Sequence, residues 1–475
     1  MTAFSIHYHR RRGLVAWALC LFATGSGCTV HTVETNPLPV AAARKTPSGG
    51  ESGFLNDFGP AVSRDGKGAD WWWRSFHDRE LDVLERDALT HNPGVQAVAR
   101  RIDQANVRMI QAGSTLFPQI NGTGQFRRSW DLDGSAGDDS SLGLSLDWEI
   151  DVWGRIRFRQ DARAQETEAA FDDWLAARLL LTASVAEAWF GAIEQRGQLA
   201  LSAEQIEVNQ KLLELTQLRF GQGQGSSVDV LQQKQQLQSV EALVPDIKFR
   251  IEAFELVLDT LTGRVPGDRR RATTAELPDP PAFPSAGYPS NLLQGRPDLR
   301  AQRARIVALD HEVGEAIADR LPRFAIGGSV AGAGTAGLDK LVGDAVANLV
   351  TPITDGGARR AEVDYRRSRL LEEIDAYTAL FLDAVREVET ALTRGKRLAE
   401  RVRLQEEQLR TTRKLLTESR NRYSQGGITD YLPVLAAVSR KQELERDLLT
   451  SRRERLSARI ALHRALGGPM VEPDL

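Results

Sequence analysis

The sequence predicts a mainly α-helical protein with two β-hairpins, built as one half-molecule that occurs twice. Two proline-free runs of roughly 65 residues have helical periodicity, and two other stretches alternate apolar and polar residues. A short turn motif also recurs, as Arg219-Phe220-Gly221-Gln222-Gly223 and as Arg422-Tyr423-Ser424-Gln425-Gly426, each copy followed by an Asp-x-Leu segment. A spacing of about two hundred residues is too long for a solenoid repeat and indicates a duplicated architecture.

Composition narrows the classes of function. The chain has 475 residues, of which 41% are apolar and 26% charged, so it can build large folded layers. The formal net charge of −3 gives no support for a nucleic-acid partner. Because the two cysteines, Cys20 and Cys28, both lie near the N-terminus, we expect no disulfide framework or thiolate metal site downstream.

The N-terminal sequence is typical of an export signal. Arg10-Arg11-Arg12 precedes the apolar stretch 13–23, which is too short for a spanning helix. Gly25-Ser26-Gly27-Cys28 resembles a bacterial lipobox, although Gly25 replaces the usual leucine. We therefore predict a signal peptide over 1–27, lipidation at Cys28 and a Gly/Ser/Pro-rich linker over 28–67. The alternatives are a plain secretory signal that leaves a free thiol and, less favoured, twin-arginine export.

The first repeat is predicted over 68–263 and begins with Trp71-Trp72-Trp73 and a leucine-bearing helix. The tryptophans can fix this helix to a larger body or, less often, form a ligand platform. An offset of 204 residues relates Asn92-Pro93 to Arg296-Pro297, and the same offset relates Phe117-Pro118 to Leu321-Pro322. A matching second repeat is therefore predicted over 291–468.

Each repeat contains a predicted β-hairpin, at about 119–150 and about 322–353. In the first hairpin the polar segment 131–139 is predicted as the turn, and the strands have roughly ten residues each, enough to cross a bilayer when tilted. The second hairpin alternates less clearly, and we expect its return strand to end near Ile353.

Long helices follow each hairpin, at about 155–262 and about 358–466, and reverse direction at the repeated turn. A run of roughly 65 helical residues is on the order of 100 Å long. Such helices must bury an apolar stripe, which antiparallel coiled-coil pairing allows. A Pro-rich linker over 264–290 joins the repeats, and 469–475 is a C-terminal tail.

Four strands cannot close a barrel, and an open sheet edge cannot lie in lipid because its unpaired backbone groups would each cost several kcal/mol. If the strands lie in a membrane, several copies of the chain must therefore share one barrel. The hairpins thus predict a homo-oligomer.

The order of these features resembles the TolC/OprM family of outer-membrane efflux proteins, in its NodT-like lipoprotein branch. The resemblance covers about residues 68–468; its motifs are short, but their order and duplication are specific. It implies a homotrimer with a shared 12-stranded β-barrel in the outer membrane of a Gram-negative bacterium and an α-helical barrel in the periplasm. It also implies a periplasmic adaptor and an RND-type inner-membrane efflux pump as partners, with outer-membrane lipid around the strands and no cofactor.

The resemblance places the repeated turns at the periplasmic mouth of the channel. It makes Asp229, Tyr423, Asp430 and Leu432 gate or constriction residues, with the Tyr423 hydroxyl as a donor to Asp229. It also implies that the helical tips dock the adaptor through Arg219, Phe220, Gly223, Arg422 and Gly426. This chain has Pro433 where some relatives carry a second acidic residue, and it has no arginine between Gly427 and Asp430.

Other interpretations of the turns are local. Asp229 and Asp430 each stand where a helix begins, so both can act as N-caps. The Gly-Gln loop lacks the lysine of a phosphate-binding loop, and the chain has no HExxH or GxSxG motif, so we predict neither an enzyme nor a metal site.

Two other functions stay open at this point. The chain can be the outer-membrane channel of type I protein secretion, or a periplasmic scaffold or adaptor lipoprotein that forms no pore. The scaffold predicts one helical hairpin and a lipoyl-type domain, whereas this sequence has two halves with strand pairs. The transported substrate is not readable from these residues.

Overall fold

The computed structural model describes residues 30–35, 71–130, 136–267, 274–282, 289–334, 340–424 and 431–468. The predicted fold class, long helices with two β-hairpins, is confirmed. The elements are α1 (Arg79–His91), α2 (Pro93–Gly113), β1 (Gln119–Trp130), β2 (Ala136–Ile150), α3 (Arg155–Gly221), α4 (Ser227–Glu241), α5 (Leu243–Leu261), α6 (Leu292–Gly295), α7 (Pro297–Ala318), β3 (Arg323–Gly334), β4 (Lys340–Val350), α8 (Ala358–Ser424) and α9 (Leu432–Ala465).

Several predictions fall outside the described residues. These are the signal peptide 1–27, Cys28, most of the linker 28–67, the tail 469–475, and the turn residues Gly426 and Asp430.

One compact unit contains the strands. It comprises the described residues 30–34 together with Ile110–Ala162 and Asp310–Arg367. The four strands form one antiparallel sheet in the order β1-β2-β3-β4, so β2 and β3 join the two hairpins. The strands have 12, 15, 12 and 11 residues. Each is long enough to cross a bilayer when tilted, and β1 and β4 are left as the two edges.

The turn of the first hairpin is shorter than predicted. Asp138 and Asp139 lie within β2 and pair with Arg128 and Arg127 of β1. Arg128 Nε lies 3.4 Å from Asp138 Oδ1. Cross-strand charge pairs of this kind stabilise strand pairing where the sequence is polar. The alternation of apolar residues, on which the prediction rested, does not show such pairing. In the second hairpin β4 ends at Val350, three residues before the predicted end.

Part of the predicted linker is held against α7. His31 Nε2 lies 2.6 Å from Asp310 Oδ1, and the Glu34 backbone N–H donates to Asp310 Oδ2 at 2.8 Å. Asp310 is buried. These contacts are polar, so the absence of an apolar period in this segment did not reveal them.

The other unit contains residue 35, 71–109, Arg163–Leu309 and the described residues from Ser368 onwards. Its largest core lies at the first repeat, where Trp72 and Trp73 pack with Leu81, Trp189 and Phe190. Trp72 Nε1 also donates to Thr182 Oγ1 at 3.2 Å. The tryptophans therefore fix α1 to α3, which favours the packing interpretation over a ligand platform.

The middle of α3 belongs to this core. Among the described residues, α3 is the helix that is long and apolar enough to cross a membrane, but 67% of its apolar stretch is buried inside the protein. We interpret that stretch as a core segment.

The two long helices, α3 and α8, have 67 residues each and begin at the predicted positions. The return from the first turn differs from the single helix that we expected over 228–262. It is divided at Ala242 into α4 and α5. Pro245 accounts for the break, because proline lacks the backbone N–H for the bond to residue 241 and its ring clashes with that carbonyl.

The duplication is visible in the helix ends. At the end of α5 the Arg264 N–H donates to the Asp259 carbonyl, and at the end of α9 the Gly468 N–H donates to the His463 carbonyl. Both are Schellman motifs with a left-handed glycine, Gly263 in the first and Gly467 in the second. These glycines are 204 residues apart, which is the offset found in the sequence.

Candidate functional site at the repeated helical turns

The first repeated turn is a helix C-cap built around Gly223. The Gln224 N–H donates to the Arg219 carbonyl at 2.9 Å, and the Gly223 N–H donates to the Phe220 carbonyl at 3.0 Å. Gly223 has φ 70° and its missing Cβ would meet no atom within 4 Å. Glycine is therefore favoured here by backbone conformation and not by crowding.

The following helix begins with a capping box. The Asp229 N–H donates to Ser226 Oγ at 3.2 Å, and the Ser226 N–H donates to Asp229 Oδ2 at 3.1 Å. The N-cap is thus Ser226, and Asp229 stands three residues into the motif, which corrects the expectation that Asp229 itself is the N-cap. Its carboxylate also lies near the positive end of the α4 dipole.

Arg219 ties the end of α3 to the end of α8. Its guanidinium carbon lies 4.2 Å from the centre of the Tyr423 ring, and its Nη1 donates to the Tyr423 carbonyl at 3.2 Å. A cation held over an aromatic face in a partly buried site contributes about 1 kcal/mol. The predicted docking residue Arg219 is therefore used within the chain.

The other predicted tip residues that the structure describes remain accessible in the single chain. The Phe220 ring is 50% exposed, and Arg422 and Gly223 are also exposed. Leu432, the predicted constriction residue, is 51% exposed and is the first residue of α9. Pro433 follows it in the first turn of α9, where a missing N–H costs no helical hydrogen bond.

Two buried tyrosines stand behind these exposed residues. Tyr423 and Tyr431 lie with ring centres 5.3 Å apart. Burial raises the pKa of Tyr423, the Arg219 charge lowers it, and the Asp229 charge raises it. Burial also raises the pKa of Tyr431 well above the usual value. Both phenols are therefore protonated at neutral pH and can donate hydrogen bonds.

The predicted link from Tyr423 to Asp229 is not formed between the described residues of one chain. The Asp229 carboxylate accepts from Ser226 instead, yet it lies close enough to influence the pKa of both tyrosines. The gating roles of Asp229, Tyr423 and Leu432 stay predictions.

Sequence reasoning missed three polar residues behind the turns. Asn209, Gln233 and Tyr431 are fully buried, and Gln233 bonds to both of the others. A signal for Gln233 was available, because Leu237 and Val240 follow it at helical spacing and are also buried. The glutamine-rich composition of α4 concealed this position.

The described parts of the chain contain no group of three or more His, Cys, Asp or Glu side chains arranged to hold a metal ion. The chemistry of the turns is that of caps, charge pairs and apolar contacts.

Comparison with protein families gives a match that occurs twice along the chain. The family model described as "Outer membrane efflux protein" matches residues 84–264 and 288–468, one copy for each repeat.

Several curated relatives are similar over most of their length. The chain is 27% identical over 414 residues to the pyoverdine export outer membrane protein OpmQ of Pseudomonas putida, which covers 84% of this chain and 87% of the relative. It is 25% identical to nodulation protein T of Rhizobium leguminosarum bv. viciae, with 85% of each covered. It is 24% identical to the cation efflux system protein CusC of Escherichia coli, with 83% and 88% covered.

Solved structures show the same fold. The outer-membrane channel OprN matches with a TM-score of 0.82 at 23% identity, over 90% of this chain and 98% of that chain. The open state of the Neisseria gonorrhoeae outer-membrane channel MtrE also matches with a TM-score of 0.82 at 23% identity, over 93% and 98%.

The family match covers more than half of the sequence and follows its internal duplication. The predictions of an outer-membrane location, a channel role in efflux and the absence of enzyme activity are confirmed by this match. The chain therefore belongs to the outer membrane efflux protein family.

Proposed function

We propose that three copies of this chain assemble into one channel that receives substrate from a periplasmic adaptor and an inner-membrane pump. The observation that supports this most directly is the four-stranded sheet with two open edges, β1 and β4, in a chain that also has two long helices of 67 residues each. One chain leaves both edges unpaired, so a shared barrel is the arrangement that satisfies the backbone in lipid.

Within this assembly Cys28 is the lipid attachment site. Asp229, Tyr423, Asp430 and Leu432 form the closed periplasmic mouth, and Arg219, Phe220, Gly223, Arg422 and Gly426 lie at the tips that meet the adaptor. The accessibility of Phe220 and Leu432 in the single chain supports these roles. The capping box of Asp229 is compatible with gating because Ser226 uses only one of its carboxylate oxygens.

The proposed cargo is small molecules or ions. The relatives are named for pyoverdine export, toluene efflux and cation efflux. A strain that lacks this gene should become sensitive to compounds of at least one of these classes, and the wild-type gene should restore resistance. Normal resistance combined with loss of a secreted protein would favour the type I secretion alternative.

The channel mouth is tested with the double variant Asp229→Ala/Tyr423→Phe. The carboxylate attracts cations, so removing it and the phenol hydroxyl should raise the conductance of the purified protein in planar bilayers and lower its selectivity for cations over anions. A matched control is Asp383→Ala/Tyr365→Phe, because both residues are exposed on α8 away from the turns.

Unchanged conductance and selectivity in the double variant would remove the gating assignment. Extraction of the wild-type protein as a soluble monomer that forms no channels would contradict the proposed function as a whole and favour the scaffold.

A further inference from the structure

Three polar side chains from separate elements meet in the core behind the channel mouth. Asn209 lies on α3, Gln233 on α4 and Tyr431 immediately before α9, and all three are 0% exposed. The side chains around them are mainly apolar and include Leu212, Leu416, Val434 and Val438. A polar group in such surroundings is tolerated only when it is hydrogen-bonded.

Gln233 is the centre of this group. Its Nε2 lies 3.0 Å from the Asn209 carbonyl oxygen and 3.0 Å from Asn209 Oδ1, and it donates to both. Its Oε1 accepts from the Tyr431 hydroxyl at 2.7 Å. Asn209 Nδ2 donates in turn to the Gln205 carbonyl at 2.7 Å. One amide thus joins the first helical hairpin, α3 and α4, to the start of α9.

The same pattern continues along the helices, about one turn away on α3 and α4 and about three to four turns after Tyr431 on α9. Gln236 Nε2 donates to Gln442 Oε1 at 3.0 Å, and Gln205 Nε2 donates to the Gln442 carbonyl at 3.2 Å. Arg446 Nη1 donates to Gln205 Oε1 at 2.7 Å. Apolar contacts tolerate sliding by a fraction of a turn, whereas these directional bonds fix one axial position of α9 against α3 and α4.

Tyr431 transmits this position to the mouth. It precedes Leu432 directly, and its ring also packs against Tyr423, which Arg219 holds from α3. Leu432 itself is half exposed. The buried Tyr431 hydroxyl, one residue earlier, therefore helps to fix where the backbone of Leu432 lies.

We propose that Gln233 is a positioning residue for the constriction: it holds Tyr431, and through it Leu432, in the closed position until the first helical hairpin moves. This inference rests on the proposed function, in which Leu432 narrows the mouth. Gln233 thus has a role in gating although it does not line the opening. A movement of the α3–α4 tip would be passed on to Leu432 through Gln233 and Tyr431.

The test compares three variants in planar bilayers and in thermal unfolding. Tyr431→Phe leaves Gln233 Oε1 without a donor, and Gln233→Leu leaves the Tyr431 hydroxyl without an acceptor. The double variant Tyr431→Phe/Gln233→Leu removes both partners of this bond, so it should lose less stability than the two single variants lose together, although Asn209 Oδ1 still loses the Gln233 donor. If Gln233 fixes the axial position, open probability should rise roughly tenfold in the single variants and stay raised in the double variant.

The control is Gln235→Leu, the same substitution on the exposed face of α4, which should leave open probability unchanged. If Tyr431→Phe does not fold, Gln233→Glu replaces it, because that change keeps the acceptor for Tyr431 and removes the amide donor to Asn209. It should raise open probability to a smaller extent than Gln233→Leu.

Two results would overturn the inference. One is an open probability that simply follows thermal stability across the three variants; the other is wild-type gating in every variant. Both leave the proposed function intact, since the wild-type protein still conducts. Failure of the proposed function would instead appear as a wild-type protein that forms no channels.

Discussion

Two ionisable residues in the core of the first repeat have buried atoms without hydrogen-bond partners in the described part of the chain. They are Glu85, with both carboxylate oxygens, and His463, with Nε2. Burial, and secondarily Asp82, raises the pKa of Glu85 well above its usual value, which favours its uncharged form. Burial, and secondarily Arg459, lowers the pKa of His463 to about 4, so it is neutral. His463 therefore packs as an uncharged group.

The His463 ring stacks on Trp72 with ring centres 5.4 Å apart. Histidine has a pKa of about 6.5 in the unfolded chain. Between pH 6.5 and about pH 4 the unfolded chain therefore binds a proton at His463 that the folded chain does not bind, which favours unfolding. The contribution of neutral His463 to the free energy of unfolding is thus fully present above pH 6.5 and is lost as the pH falls towards 4. This linkage amounts to at most about 3 kcal/mol.

We expect His463→Phe to remove part of the acid sensitivity of the protein while keeping the contact with Trp72. The measurement is the thermal unfolding midpoint in detergent between pH 4 and pH 7. His91→Phe is the control, because His91 is exposed. Equal pH slopes for wild type and His463→Phe would show that His463 does not carry this linkage.

At the scale of the elements, glycines end the long helices for different physical reasons. Gly221 is the last residue of α3 and has open space around it, without a positive φ. Gly223 has a positive φ in open space. Gly263 has φ 73°, and a Cβ there would lie 2.4 Å from the His91 carbonyl oxygen. Substitution at Gly221 therefore tests helix propensity, at Gly223 it tests backbone strain, and at Gly263 it adds the effect of crowding.

Alanine at these positions should give a graded series. Gly221→Ala should be neutral or stabilise by up to about 1 kcal/mol, and Gly223→Ala should destabilise by about 1–2 kcal/mol through left-handed strain. Gly263→Ala should destabilise more than Gly223→Ala, because α5 must also move away from α1. Thermal unfolding of the three variants measures the order.

A Gly263→Ala variant as stable as Gly223→Ala would mean that the close approach of Gly263 to α1 relaxes at little cost. The corresponding Gly467→Ala should behave like Gly263→Ala, since its Cβ would lie 2.5 Å from the Gly295 carbonyl oxygen.

At the scale of the whole molecule, the order of the sheet decides how copies of the chain associate. β1 and β4 lie at opposite edges, so they cannot pair with each other within one flat sheet of four strands. Every residue of β4 and of β1 is exposed in the single chain. A head-to-tail contact, β1 of one copy beside β4 of the next, closes a ring without leaving an edge.

We expect a chain that carries both Thr123→Cys and Ala345→Cys to form covalent dimers and trimers when a short bis-maleimide is added in membranes. A flexible reagent is used because the register between copies is not fixed by one chain. Denaturing gel electrophoresis measures the products. Each single-cysteine variant is the control and should remain monomeric, because equivalent edges do not meet.

Cross-linking of the single-cysteine variants to the same extent would indicate a symmetric contact between like edges. Exclusively monomeric products from the double variant in membranes would contradict a shared barrel.

The types of element and their order followed from the sequence by itself. The predicted starts of the long helices at 155 and 358 agree with α3 and α8, and the repeated offset of 204 residues reappears in Gly263 and Gly467. These features depend on periodicity, glycine and proline, which act over a few neighbouring residues. Local patterns therefore predicted the fold, the repeated turns and, through family resemblance, the function.

Contacts between distant parts of the chain were decided only by the tertiary structure. Pairing of β2 with β3 joins residues such as Ser145 and Ser329, and Gln233 meets Tyr431 across 198 positions. The docking of His31 on Asp310 spans 279 positions. Polar partners at such separations leave no period in the sequence, because hydrogen-bond geometry selects them only after the helices and strands have packed.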